Sequence, residues 1–127
     1  MSTTSKDISF IIDGVLFEYD EEKNNINVQK HGLSFETAAR VFFDYDRLEL
    51  YDEIHSTEED RYNVIGDLNA GGMVIGSAPG SEAEIIFVVY TERQRQKTNG
   101  KETDVIRIIS ARVANSFERG LYYGKRY

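Results

Sequence analysis

The stretch EIIFVVYTERQRQKTNGKETDVIRIISARV, residues 84–113, decides the fold. Its two apolar segments, EIIFVVYT and DVIRIISA, are almost uninterrupted, which is typical of strands that are buried on both faces of a sheet. The polar connection at residues 93–104 is expected to be an exposed loop. The stretch therefore predicts the centre of a β-sheet, and neighbouring strands that are joined by turns are usually antiparallel.

The residues before this stretch predict further strands and a first hairpin. In ISFIIDGVLFEYD, Asp13-Gly14 separates two apolar runs and supplies the positive backbone φ of a tight turn. The segments LELYD, RYNVIGD and MVIGSA are also extended in pattern and are separated by turn residues. The second polar connection, at residues 77–84, is expected to be exposed.

Along the chain, helices are predicted between the first hairpin and the later strands, and again after the last strand. Asp20 can cap a helix that continues to about Lys30, with Ile26 toward the core and Gly32 at its end. Ser34 can cap a second short helix with an apolar stripe. A closing helix, about Val113 to Tyr123, is predicted to place three apolar residues against the sheet: Val113, Phe117 and Leu121.

These elements predict one α+β domain over residues 1–127, with two short N-terminal helices, a central antiparallel sheet and a C-terminal helix packed on it. The first seven residues are expected to be flexible. No apolar run approaches the roughly 18 to 20 residues that cross a bilayer, and the N-terminus has no secretory pattern, so a cytoplasmic protein is expected.

The charge is divided unevenly along the chain. The formal net charge is −7, with −12 in residues 1–90 and +5 in residues 91–127. The acidic part would repel RNA, but the basic third can bind a polyanion if its cations share one face. The chain has no cysteine, and its two histidines, His31 and His55, lack the short spacing of a zinc motif. No metal or other cofactor is predicted.

Several segments, taken in order, resemble one family. They are FEYD at 17–20, KHG at 30–32, SFETAARVFFD at 34–44, HSTEEDRYNVIG at 55–66, VVYTER at 88–93, RIISAR at 107–112 and the closing FERGLYY. Together they resemble the BrnT family, ribonuclease toxins of bacterial type II toxin–antitoxin systems with a fold like that of RelE toxins. The resemblance implies cleavage of mRNA and neutralisation by a cognate antitoxin whose ribbon-helix-helix portion binds DNA.

Metal-independent cleavage of RNA by its own 2′-hydroxyl needs a base, an acid and cations that stabilise the developing negative charge. Arginine suits the last role because its planar guanidinium grips two phosphate oxygens and stays charged. Arg93, Arg107 and Arg112 are the candidates. Arg107 shares the strand face of Val105 and Ile109, opposite Ile106 and Ile108, so it either reaches bound phosphate or forms an ion pair with a carboxylate on a neighbouring element.

Other candidate site residues are less sharply defined. Arg112 is predicted to share a helical stripe with Ser116, Arg119 and Tyr123, which is either a phosphate-binding and base-stacking surface or a solvated face. In HSTEEDRYNVIG, the candidate catalytic groups are His55, Glu59 and Arg61, and the base is not assigned among them.

Lys30 and His31 are candidate RNA contacts, although their place at the end of a helix is also explained by its dipole. Two alternative functions remain open. One is a catalytically weak or inactive protein that binds an antitoxin. The acidic balance of residues 1–90 favours it, and so do the segments at 67–86 and 93–104, which are longer than is usual in the family that the chain resembles. The other is an RNA-binding domain that does not cleave.

Overall fold

The computed structural model describes residues 5–70 and 83–124. Its strands are β1 (Asp7–Ile12), β2 (Val15–Asp20), β3 (Leu48–Tyr51), β4 (Tyr62–Asp67), β5 (Ile85–Gln96) and β6 (Glu102–Val113). Its helices are α1 (Glu21–His31), α2 (Phe35–Ala38), which continues into a 3₁₀ helix (Ala39–Phe43), and α3 (Ser116–Gly124). The α+β class is confirmed.

The six strands form one sheet in the order β1-β2-β6-β5-β4-β3. The predicted antiparallel sheet is confirmed only in part, because β2 pairs with β6 in parallel, with Phe17 opposite Ile106. Every other neighbouring pair is antiparallel. The expectation that neighbouring strands are antiparallel applies to strands that are joined by a turn. β2 and β6 are far apart in the sequence, so no turn joins them.

The first hairpin and the helix caps are confirmed. Asp13 and Gly14 have φ of 46° and 80°, as a two-residue turn with two positive φ values requires. The Asp20 carboxylate accepts from the backbone N–H of Lys23 at 2.9 Å, and Gly32 ends α1 with φ of 65°. Ile26 does not face the core. It is exposed, and Asn27 is buried in its place between the Leu33 and Ala111 backbones.

α1 and α2 cover one face of the sheet. The main core cluster lies there and includes Phe17, Phe35, Val64, Val88 and Ile108. A second cluster lies on the other face, where Tyr122 of α3 packs with Ile65, Ile85 and Ala114. The helices therefore flank the sheet on both sides, and α3 covers only part of its face.

The predicted packing of the C-terminal helix is wrong. Phe117 is 74% exposed, and Val113 and Leu121 are also exposed. Tyr122, which is 3% exposed, packs on the sheet instead, and its hydroxyl donates to the buried Asp44 carboxylate at 2.5 Å. Because α3 turns Tyr122 toward the sheet, its predicted apolar stripe faces solvent.

β5 and β6 extend beyond their predicted ends. Much of the expected loop at residues 93–104 is a two-stranded arm, in which Arg93 pairs with Val105 and Gln96 with Glu102. A bulge interrupts the pairing between Val89 and Tyr90. The predicted strand MVIGSA and most of the predicted loop at 77–84 lie outside the described residues.

The described part of the N-terminal segment makes contacts with α1. The Ser5 hydroxyl accepts from the Glu22 N–H at 3.2 Å, and the Lys6 carbonyl accepts from the Glu21 N–H at 2.9 Å. Among the helices in the described residues, none is long and apolar enough to cross a membrane.

Candidate functional site

Three arginines from the two longest strands lie on the face of the sheet opposite α1 and α2. Thr91 and Glu18 both pair with Arg107, so all three side chains are on the same face. Arg93 and Arg95 follow Thr91 at intervals of two along β5 and share that face. We call Arg93, Arg95 and Arg107 the arginine cluster.

Arg107 is held by two carboxylates. One of its terminal nitrogens donates to Glu18 on the neighbouring parallel strand, and the other donates to Asp7 at 3.0 Å. Arg95 grips the same Glu18 carboxylate with two hydrogen bonds of 2.9 and 2.8 Å. Burial opposes the ionisation of Glu18, but the hydrogen bonds from Arg95 and Arg107 outweigh it and lower its pKa. Glu18 therefore remains an anion that bridges two cations.

Arg93 is paired with Glu59, which lies in the loop between β3 and β4. The guanidinium donates to both carboxylate oxygens, at 2.9 and 3.2 Å from the same terminal nitrogen. These hydrogen bonds, with the nearby charges of Arg61 and Arg107, lower the pKa of Glu59. The structure therefore pairs two predicted site residues, Arg93 and Glu59, and places Arg61 and Arg107 near enough for their charges to act on Glu59.

The loop that carries Glu59 and His55 is held in shape by its own hydrogen bonds. The Asp52 N–H donates to the Arg61 carbonyl at 2.9 Å, and the Ser56 hydroxyl donates to the Asp52 carbonyl at 2.5 Å. His55 is mostly exposed, and its Nδ1 lies 2.9 Å from an Asp52 carboxylate oxygen. This contact fixes the ring and leaves Nε2 as the nitrogen that is available to a ligand.

Arg112 is not part of the helix, so the predicted stripe with Ser116, Arg119 and Tyr123 is wrong. Arg112 lies in β6 and stacks on the Phe87 ring, with its guanidinium carbon 4.4 Å from the ring centroid. Glu118 of α3 accepts from both of its terminal nitrogens, at 2.7 and 2.8 Å. These hydrogen bonds raise the pKa of Arg112.

Arg119 and Tyr123 remain on α3. Arg119 donates to the Ala114 carbonyl at 2.7 Å and to the Ser116 hydroxyl at 3.2 Å. Its side chain therefore lies against the start of α3. Tyr123 is half-exposed and its ring meets that of Tyr122 edge-on. The assignment of Arg119 and Tyr123 to RNA remains a prediction.

Lys30 and His31 lie apart from the arginine cluster, at the end of α1. With Lys23 they line a shallow pocket of about 200 Å³ against Ile109 and Ser110 of β6. The structure therefore separates these two candidate RNA contacts from Arg93 and Arg107, although β6 contributes to both places.

A larger cleft of about 650 Å³ adjoins Arg93. It lies between the turn of the first hairpin, at Gly14 to Leu16, and the arm of β5 and β6, and the backbones diverge there because β2 and β6 pair only near Phe17 to Tyr19. The cleft brings apolar and charged groups together beside the arginine cluster. Among the described residues, no group of three or more His, Asp or Glu side chains could hold a metal ion.

The sequence analysis missed three members of this network, namely Asp7, Glu18 and Arg95. A signal for Arg95 was present, because it follows Arg93 at an interval of two in a segment that continues the strand. For Glu18 the signal was a single charge within an apolar strand, which requires a partner. Asp7 carried no signal, because its contact depends on the pairing of β1 with β2.

Comparison with known proteins identifies a family. A family model described as the ribonuclease toxin BrnT of type II toxin-antitoxin systems matches residues 19–118. No curated protein matches the chain.

Proposed function

Because the chain belongs to the BrnT family of ribonuclease toxins, we propose that it is an endoribonuclease toxin that cleaves mRNA without a metal ion. The observation that supports this most directly is the arginine cluster, in which three guanidinium groups from adjacent strands share one face with Glu59. Guanidinium groups at this density suit the phosphates of a single RNA strand.

In the proposed reaction, the 2′-hydroxyl oxygen attacks the adjacent phosphorus and the bond from phosphorus to the 5′ oxygen breaks. A base takes the proton of the 2′-hydroxyl, and an acid gives one to the leaving oxygen. The products are a 2′,3′-cyclic phosphate and a 5′-hydroxyl. Arg93 and Arg107 stabilise the charge on the phosphate oxygens, and Arg112 holds a phosphate beyond the cluster.

Two residues are proposed for proton transfer. Glu59 has a lowered pKa because of Arg93, which makes it a weak base near neutral pH. His55, with Nδ1 fixed by Asp52 and Nε2 available, has the better arrangement for accepting or giving a proton. Arg61, which contributes to the charge around Glu59, is proposed as a further phosphate contact.

We also propose that residues 1–127 act as one toxin domain with a RelE-like fold and that it acts in the cytoplasm. Its partner would be a cognate antitoxin with a ribbon-helix-helix portion that binds DNA. The exposed apolar side of α3, at Phe117 and Leu121, supports a protein partner. Lys30, His31, Arg119 and Tyr123 are proposed as outlying RNA contacts.

The test is incubation of the purified protein with a single-stranded RNA in EDTA, and separately with translating ribosomes. We expect fragments that end in 2′,3′-cyclic phosphate or 3′-phosphate, and we expect Arg107→Ala and Arg112→Ala to abolish them while circular dichroism shows a folded chain. Arg47→Ala is the matched control, because Arg47 forms an exposed ion pair with Glu49 next to the edge strand β3.

A second candidate function is an interaction protein that binds the antitoxin and does not cleave RNA. It is favoured by the observation that Arg93, Arg107 and Arg112 are each paired with a glutamate. Intact RNA in both assays, together with tight binding of the antitoxin, would support this alternative. Shifted but intact RNA would instead indicate a non-cleaving RNA-binding domain.

A further inference from the structure

β1 is an edge strand of unusual composition. It has a neighbouring strand on one side only within the described sheet, and its sequence DISFII contains neither lysine nor proline. Edge strands usually carry such residues because unpaired backbone groups otherwise bind another strand. Ile11, which is 67% exposed, adds an apolar side chain at this edge. The strand also lies before the family-matched segment, so the family match does not account for it.

The hairpin turn determines which backbone groups of β1 face outward. Ile12 pairs with Val15 across the two-residue turn, and this pair is hydrogen-bonded in hairpins of that length. Because hydrogen-bonded pairs alternate, Ile8, Phe10 and Ile12 bond to β2. The N–H and C=O groups of Asp7, Ser9 and Ile11 therefore point away from the sheet.

We propose that β1 pairs with β1 of a second copy of this chain, in antiparallel orientation and centred on Ser9. In this register Ser9 lies opposite Ser9 of the partner subunit, and Asp7 lies opposite Ile11 of the partner subunit. Both are pairs of outward-facing residues, so their N–H and C=O groups complete a ladder of hydrogen bonds.

Charge selects this register over its neighbours. A shift of the strands by two residues in one direction places Asp7 opposite Asp13 of the partner subunit, where the like charges repel. The opposite shift places Phe10, Ile11 and Ile12 beyond the end of the partner's strand, whereas the proposed register leaves only Ile12 beyond it. In the proposed register Asp7 keeps its ion pair with Arg107, so its charge is balanced beside an apolar neighbour.

The side chains on the α1 face also complement each other. Ile8 lies opposite Phe10 of the partner subunit, and both residues are partly buried against the main core cluster in a single chain. Pairing extends that cluster across the edge and removes further apolar surface from water. A second copy therefore fits this edge in its backbone groups, its charges and its apolar side chains.

The symmetry has a consequence for the surface of the dimer. Residues directly opposite in an antiparallel pair lie on the same side of the sheet, so the two-fold axis is perpendicular to it. The two six-stranded sheets join into one, and both arginine clusters lie on its same side. A dimer would thus present two copies of the cationic face in one direction.

The experiment uses the fact that the chain has no cysteine. Ser9→Cys places two thiols opposite each other, with Cα atoms about 5.5 Å apart, which suits a disulfide. We expect this variant to form a disulfide-linked dimer within minutes of mild oxidation. Ile11→Cys is the control, because it is equally on the outer edge but lies about 14 Å from its symmetry mate, so it should form little disulfide-linked dimer under the same oxidation.

Sedimentation equilibrium of the unmodified chain should give twice the 14.5 kDa of one chain. Ser9→Lys, which opposes two like charges at the axis, should weaken the dimer by at least about tenfold. Phe117→Asp should leave it intact. A monomeric native chain would overturn the proposal, and so would a dimer that Phe117→Asp dissociates and Ser9→Lys does not, because α3 would then form the interface.

Discussion

Replacing Glu18 with glutamine is expected to lower the stability of the protein and strengthen its binding to RNA. Glu18 is buried, and its carboxylate binds Arg95 with two hydrogen bonds and Arg107 with one. Loss of one partner from a buried ion pair costs about 3–5 kcal/mol. Because glutamine keeps the shape and one acceptor oxygen, we expect a loss of about 3 kcal/mol, or about 12 °C in Tm for a domain of this size.

The same substitution frees the arginines for phosphate. The one negative charge of Glu18 would then no longer compete with phosphate for Arg95 and Arg107, so the cluster can release about one further counterion from the RNA on binding. We expect the slope of log affinity against log salt to become steeper by about 1. Urea unfolding measures the loss of stability, and fluorescence anisotropy of a labelled single-stranded RNA over a salt series measures the slope.

Glu49→Gln is the control for this comparison, since it changes the net charge equally but breaks only the exposed pair with Arg47. Exposed pairs contribute little, so its Tm should change by about 2 °C or less. If Glu18→Gln and Glu49→Gln give the same salt slope, the arginine cluster does not bind phosphate. If Glu18→Gln is destabilised but has the same salt slope as Glu49→Gln, the arginines of the cluster have only a structural role.

Three further outcomes test the fold around the site. Tyr122→Phe removes the hydroxyl that donates to buried Asp44, so urea unfolding should show a loss of about 2 kcal/mol; an unchanged midpoint would contradict the role given to this contact. Gly66→Ala would place a Cβ 2.9 Å from the Val41 Cβ and should cost about 1–3 kcal/mol in thermal unfolding, whereas Gly120→Ala, which has open space, should not destabilise. The three glutamates paired with arginine have lowered pKa values in the folded chain, so their contribution to stability is complete above the ordinary value of 4.5 and is lost as the pH falls through the folded values. Urea unfolding between about pH 7 and about pH 3 measures this dependence of stability on pH, and a constant free energy of unfolding over that range would contradict it.

The sequence predicted the features that depend on neighbouring residues. The turn at Asp13-Gly14 and the caps at Asp20 and Ser34 each use a side chain or a backbone angle within a few positions. The parallel pair of β2 and β6 was not predictable in this way, because it depends on which distant strand reaches the same edge. The central strands were found, but their extension into a paired arm was not, since its charged residues are typical of a loop.

The start of α3 shows how a local signal was overlooked. Asn115 and Glu118 form a capping box, in which the Asn115 side chain accepts from the Glu118 N–H at 2.8 Å and Glu118 accepts from the Asn115 N–H at 2.9 Å. This spacing predicts a helix that begins at Ser116, which would have kept Arg112 in the strand. The same Glu118 then binds Arg112, so the helix cap also orients a candidate site residue.

The acidic balance of the chain does not argue against the binding of RNA. The protein folds before it binds RNA, so each arginine on the sheet needs another anion as a partner until a phosphate binds. A partly buried cation without a partner would lower the free energy of unfolding. Glu18, Glu59 and Glu118 fill that role for the candidate arginines, and Asp7 adds a second carboxylate to Arg107. Phosphate must then displace a carboxylate, so affinity measures an exchange of anions and not the full strength of an arginine–phosphate contact. A protein of this design would bind RNA weakly for its number of arginines, and weakening any one glutamate contact would raise that affinity.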